Sequence, residues 1–189
     1  MKKSFGAKTL IYPTHVWLVG TYDKDGKPNA ATIAWGGVCS SKPPCVAISL
    51  RGATYTHGNI MERKAFTINV PSAGQIEIAD YCGMASGRNV DKFAAAKITA
   101  VKSKKVEAPY IQEFPMILEC KLSNFVEIGI HTHFIGEIMD VQIDESMLGE
   151  GGLPDILKIN PMLYGPEIQS YYSVGKYLGK AFSIGKKFS

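Results

Sequence analysis

Short apolar runs alternate with turn-forming clusters along the chain, and the clusters set the first element boundaries. Residues 15–22 (HVWLVGTY) are rich in β-branched and aromatic side chains, and Asp25-Gly26 follows as a tight-turn pair. Residues 29–37 (NAATIAWGG) run back from that turn, so 15–37 is predicted to form a hairpin. SSKPP at 40–44 breaks the pattern before a third apolar strand, CVAISL at 45–50. AFTINVP at 65–71 is a fourth, closed by Pro71, which has no N–H to give to a ladder. Strand character returns in ILECKLSNFVEI (117–128) and THFIGEIMDVQID (132–144). In the latter, Phe134, Gly136, Ile138 and Asp140 fall on one face, and Ile135, Glu137, Met139 and Val141 on the other.

Three segments between these strands carry helical spacing. THGNIMERK (56–64) opens on Thr56, a residue type that caps helix N-termini. GQIEIADYCGM (74–84) brings Ile76, Ala79 and Met84 near one face, and NVDKFAAAK (89–97) has Val90, Phe93 and Ala94 at one-turn spacing. From 145 onward the chain is rich in Gly, Pro and Tyr and has little periodicity. Short, mostly hairpin-connected strands with a few small helices predict an antiparallel β-barrel with peripheral helices. The regular strand–helix alternation of a parallel doubly wound sheet is absent. At 189 residues and 46% hydrophobic, the chain is sized for one domain, 1–189, with a real core.

Composition narrows the partners. No apolar run approaches the roughly 18 residues of a membrane-spanning helix. The opening MKKSFGAKTLIYP holds too short an apolar stretch for a signal peptide, so a cytoplasmic protein is expected. Cys39, Cys45, Cys82 and Cys120 form no CxxC pair and read as buried free thiols of a reducing compartment. The net charge of +4 is too modest to announce a nucleic-acid binder, and neither an aromatic RNP strand nor a GxxG loop is present. The charge is segregated, however. Residues 88–105 hold six basic side chains and one acid, 137–155 six acids and no Lys or Arg, and 176–189 four lysines and no acid. A local positive field of this kind suits an anionic ligand.

Several clusters carry candidate chemistry. In RGATYTHGN (51–59) a strand end meets a helix start, which supplies free backbone N–H groups; Thr54 and Thr56 add hydroxyls and Arg51 a charge, the set a phosphate needs. On local spacing alone, a helix-capping Thr56 and a solvated Arg51 are the simpler account. SGRNVDKF (86–93) repeats the pattern, with Arg88 and Lys92 about one turn apart. Neither GxxxxGK[ST] nor a strand-following GxGxxG is present. His131 and His133 share one face of a strand, but no third metal ligand is near in sequence, so they read as hydrogen-bonded residues and no metal is expected. Trp35, beside Gly36-Gly37, and Tyr164 offer faces for a planar ligand or simply pack in the core; the Asn29 amide suits either a turn or a heterocycle edge. No nucleophile–base pair and no carboxylate dyad is legible, so any redox work must fall to a bound cofactor.

Taken together, NAATIAW (29–35), SSKPPCVAISLR (40–51), THGNI (56–60), SGRNVDKF (86–93) and HTHFIGEI (131–138) resemble, in order, the motifs of the flavin reductase-like, FMN-binding split-barrel family, flavoredoxins included. The resemblance implies a homodimer of six-stranded Greek-key split barrels, each binding one FMN noncovalently near the subunit interface. It implies that Asn29, Ala30, Ala31, Thr32 and Trp35 lie along the isoalloxazine and ribityl chain. It also implies that Ser49, Leu50, Arg51, Thr54, Thr56 and Asn59 line the phosphate and its approach, that Ser86 belongs to the cofactor site, and that Lys92, His131 and Tyr164 reach the cofactor from other segments. The implied function is electron transfer from a protein or nicotinamide donor to an acceptor. An NAD(P)H:flavin oxidoreductase releasing reduced flavin, and a non-catalytic split-barrel binding module, are the alternatives. Related barrels also bind pyridoxal phosphate, but no feature of this sequence favours it.

Overall fold

The turn at Asp25-Gly26 is the corner from which the sheet grows. In the computed structural model, which describes residues 1–188, Gly26 takes a φ of 81° that favours glycine. Asp23 N donates to Lys27 O across it. The chain runs β1 (Thr14–His15), β2 (Trp17–Tyr22), β3 (Pro28–Ile33), β4 (Gly36–Ser41), β5 (Pro44–Arg51), α1 (Tyr55–Arg63), β6 (Ala65–Val70), α2 (Ile76–Met84) and α3 (Lys92–Ala96). It continues through β7 (Ala100–Lys102), β8 (Pro109–Ile111), β9 (Met116–Ile128), β10 (His131–Ile143), α4 (Ile156–Ile159), β11 (Leu163–Gly165) and β12 (Ser170–Tyr172).

Seven strands form the main sheet in the order β3-β2-β6-β9-β10-β5-β4, with every neighbouring pair antiparallel. Its two outermost strands, β3 and β4, are consecutive in the chain and joined by Ala34 and Trp35 alone. So short a link bends the sheet back on itself, and Ser49 N donates to Trp35 O at 2.9 Å where the two ends meet. The antiparallel barrel with peripheral helices is therefore as expected. It has seven strands rather than six because 29–37 divides at Ala34-Trp35 and its second half pairs with β5. Ser40 and Ser41, expected to break the pattern, complete β4.

Why 15–22 is apolar throughout rather than alternating is explained by burial on both faces. Val19 points into the barrel with Ile48, Phe66, Ile68, Cys120 and Phe134. Leu18 points outward into a second cluster with Ala79, Cys82, Phe93, Ile111 and Phe114, over which α2 and α3 pack. On these two helices the expected faces are corrected. Ile76 and Met84 are exposed, and Ala79 and Cys82 are the buried pair. Val90 and Ala94 are exposed too, because α3 starts only at Lys92, where the Asp91 carboxylate accepts from Ala94 N; Lys92 and Phe93 are its buried residues. Of the four free cysteines, Cys39 is exposed, since it sits on the bulge where the β4–β5 register shifts. Another bulge at Met139 interrupts the alternation of β10. The segment after 145 contributes β11 and β12, which join β1 in a small sheet. Among the described residues no helix is long and apolar enough to cross a membrane.

Candidate functional site

Where β5 ends and α1 begins, the N-cap is Thr54, not Thr56. Thr54 has extended backbone; its Oγ1 accepts from His57 N at 3.3 Å and donates to Arg51 O at 2.9 Å. Thr56 instead lies inside the first turn, fully buried, where its hydroxyl accepts from Asn29 Nδ2 at 2.9 Å. That bond fixes which way the Asn29 amide faces. Asn29 is 3% exposed, and its Oδ1, also buried, has no hydrogen-bond partner among the described residues. A buried amide oxygen without a donor costs on the order of 1–3 kcal/mol, which a donor on a ligand would recover.

The loop after α2 closes over this helix start. Arg88 Nη1 donates to Ala53 O at 2.8 Å, and its guanidinium lies 5.5 Å from the centroid of the Tyr55 ring. Gly87 is pressed so close that a Cβ there would collide with Asn29 Oδ1 and stand 2.8 Å from Tyr55 Cδ1. Tyr55 donates to Asp23 Oδ2 at 2.7 Å, and this bond, with burial, pushes its phenol up to about 12. On Asp23 burial is the largest single influence and acts upward. The bonds from Tyr55 and from the Lys27 and Asp25 amides, with the Lys27 charge, together outweigh it and hold the carboxyl below its ordinary value.

Lys92 is 3% exposed, its Nζ donating to Ala30 O at 2.8 Å and Cys82 O at 2.7 Å. Burial lowers its pKa, with the neighbouring Cys82 acting the other way. Two carbonyls take two of the three ammonium protons, so one N–H is left for the cavity that the side chain borders.

Together these groups wall a cavity of about 300 Å³. Of the residues singled out in the sequence, Asn29, Ala31, Thr32, Leu50, Thr54, Thr56, Ser86 and Lys92 border it, and Ala30 supplies a carbonyl to Lys92. The others lie elsewhere. Arg51 is exposed at the strand end, in register with His131. Asn59 Nδ2 donates to Thr21 Oγ1 at 3.1 Å and so anchors α1 to β2. Ser49 Oγ and His133 Nδ1 are 2.8 Å apart. Trp35 links β3 to β4, and Tyr164 borders a second cavity of about 240 Å³ that shares Thr32, Gly83 and Met84 with the first. Among the described residues no three His, Cys, Asp or Glu side chains are grouped to hold a metal ion. Sequence reasoning passed over Ala53, Tyr55 and Gly83 as wall residues; of the two arginines it named in candidate clusters, Arg88 borders this cavity and Arg51 does not.

The donor set fits FMN. The wall includes the start of α1, the Thr56 hydroxyl and Arg88, donors and positive charge of the kind a phosphate dianion requires. The same wall holds the buried Lys92 ammonium and the buried Asn29 Oδ1 acceptor that lacks a donor.

Comparison with known proteins places this geometry. Flavoredoxin of Desulfovibrio vulgaris (Miyazaki F) is 55% identical, covering 98% of this chain and 100% of that one, with a TM-score of 0.94. Flavoredoxin from Methanosarcina acetivorans is 32% identical over the whole of both chains, with a TM-score of 0.93. An NADPH-flavin oxidoreductase of Streptomyces viridifaciens is 26% identical, over 89% of this chain and 82% of its own. The profile of the flavin reductase-like domain matches residues 9–171, and the chain belongs to that family.

Proposed function

We propose that the protein is an FMN-binding electron carrier of the flavoredoxin type, a single-domain cytoplasmic protein working as a homodimer. The observation that carries the reading is the cavity joining the α1 start to the buried Lys92 ammonium, in a chain 55% identical to a flavoredoxin along its length. FMN, when bound, supplies the reversible uptake of electrons. The chain's own residues bind and tune. Thr54 would hold the start of α1 in place, and Thr56, Ser86 and Arg88 would meet the phosphate end by hydrogen bonds and charge. Asn29 Oδ1 accepts from a donor on the cofactor, with its orientation set by Thr56. A positive charge on Lys92 beside the bound group would favour its reduced, more negative state and so raise the potential. Leu50, Met84 and Tyr55 give the cavity its apolar walls.

Support for the dimer comes from the outer face of the barrel. The β9–β10 hairpin leaves Phe125, Val126, Ile128 and Ile130 exposed, an apolar patch of the kind subunit interfaces cover. Four free thiols suit a reducing compartment. The relative named as an NADPH-flavin oxidoreductase supports a second reading, in which a nicotinamide is the direct donor. Steady-state oxidation of NADH or NADPH with free FMN as acceptor separates the two. A carrier gives negligible turnover without a protein donor, whereas rapid multiple turnover makes the protein a reductase.

A further inference from the structure

Residues 173–188 lie beyond the part of the chain that the family profile matches, and they carry a distinct pattern. Lys176, Lys180, Lys186 and Lys187 alternate with Tyr177, Leu178, Phe182, Ile184 and Phe188, and no acid interrupts them. The segment's apolar side chains stand in water: Leu178 is 83% exposed and Phe182 100%. The backbone hydrogen bonds here, Ile184 N to Lys180 O and Lys186 N to Ser183 O, close local turns. On the body of the same chain is a surface of opposite sign. Leu153 (71% exposed), Ile156 and Leu157 form an apolar group at the start of α4, flanked by exposed Asp144, Glu145 and Glu150 in a stretch without Lys or Arg. Each surface has the apolar contacts and the charge that the other lacks, and both are uncovered within one chain.

We infer that segment 173–188 of one subunit docks on the 144–157 surface of a second copy, strapping the dimer. The inference rests on the homodimer proposed above. A second copy is the occupant because the charge complementarity is internal to this sequence, and an extended segment of about 16 residues can reach roughly 50 Å. Covering Leu178 and Phe182 against Leu153, Ile156 and Leu157 supplies the apolar contact, while Lys176 and Lys180 opposite Glu145 and Glu150 set the orientation.

Two experiments on the full-length chain test it. Sedimentation across a dilution series gives the dimer dissociation constant. Lys176→Glu with Lys180→Glu is expected to raise it about tenfold at low salt, and adding Glu145→Lys with Glu150→Lys to restore it. A dimer whose constant none of these changes moves would overturn the strap while leaving the dimer itself intact. A wild-type monomer at micromolar concentration would overturn both. In a Cys39→Ser background, Leu153→Cys combined with Leu178→Cys should oxidise to a covalent dimer on a non-reducing gel. A disulfide closed within one chain, or none, contradicts docking in trans.

Discussion

Replacing Lys92 with methionine separates the binding role of this buried ammonium from its structural one. The substitution keeps the apolar stem but deletes both donors, so Ala30 O and Cys82 O lose partners at 2.8 and 2.7 Å. A buried carbonyl left without a donor costs about 1–3 kcal/mol. Against that, the variant no longer pays for burying a charge, a cost of several kcal/mol per ion that is seen here as a lysine pKa below its ordinary value. The two nearly offset, so stability should stay within about 2 kcal/mol of wild type, a melting shift of a few degrees. No such offset operates on the cofactor. Losing a charge-assisted bond of about 1.5–3 kcal/mol should weaken FMN binding roughly 10- to 150-fold. It should also lower the flavin potential. Quenching of flavin fluorescence gives the affinity, spectroelectrochemistry the potential and calorimetry the melting. Lys92→Gln, which can still donate, should recover part of the stability and none of the potential. An unchanged affinity and potential with a lowered melting temperature would refute the reasoning and leave Lys92 a structural residue.

Other consequences can be measured on the same preparations. Gly87→Ala forces a Cβ against Asn29 and Tyr55, so thermal melts should show a loss of about 1–3 kcal/mol and titration a weaker cofactor. Thr54→Ala removes the α1 cap and should cost about 1 kcal/mol in urea unfolding, besides weakening the phosphate end. Asp23→Asn should flatten the acid limb of the stability profile. The native carboxyl is held below its ordinary value, so its contribution is full above the unfolded pKa of about 3.9 and is lost as pH falls through the lower folded value. Urea melts between pH 2 and 6, a range chosen to bracket about 3.9, check it, and parallel curves for variant and wild type would contradict it. Arg88→Ala should weaken FMN binding and make the remaining affinity less sensitive to salt, if Arg88 meets the phosphate as proposed.

The barrel strands were legible because burial leaves a mark on composition. Residues 45–50, 65–71 and 15–22 are apolar where they face a core, and Asp25-Gly26 fixes a hairpin by local backbone preference. What the sequence concealed depends on contacts remote along the chain. Thr54 and Thr56 are both plausible caps locally, and only the partner Asn29, 27 residues away, shows which is buried. Arg51 and Arg88 read alike in sequence, and only the fold shows that Arg88 borders the cavity, on a loop packed against α1. Lys92 is a candidate in the 86–93 cluster, but its burial emerges only when α3 and β3 close around it. The expected faces of α2 and α3 failed because each helix is short and starts later than its periodicity suggests, which rotates the buried side. Strands β7, β8, β11 and β12 have three residues each, too few for a pattern to repeat.

The central claim is that this cavity holds FMN, and the visible spectrum of freshly purified protein tests it most directly, with the released cofactor identified by mass. The account predicts a yellow protein carrying about one FMN per chain, or a colourless one that takes up added FMN to that ratio. A protein that is colourless as purified and leaves added FMN unbound would contradict it.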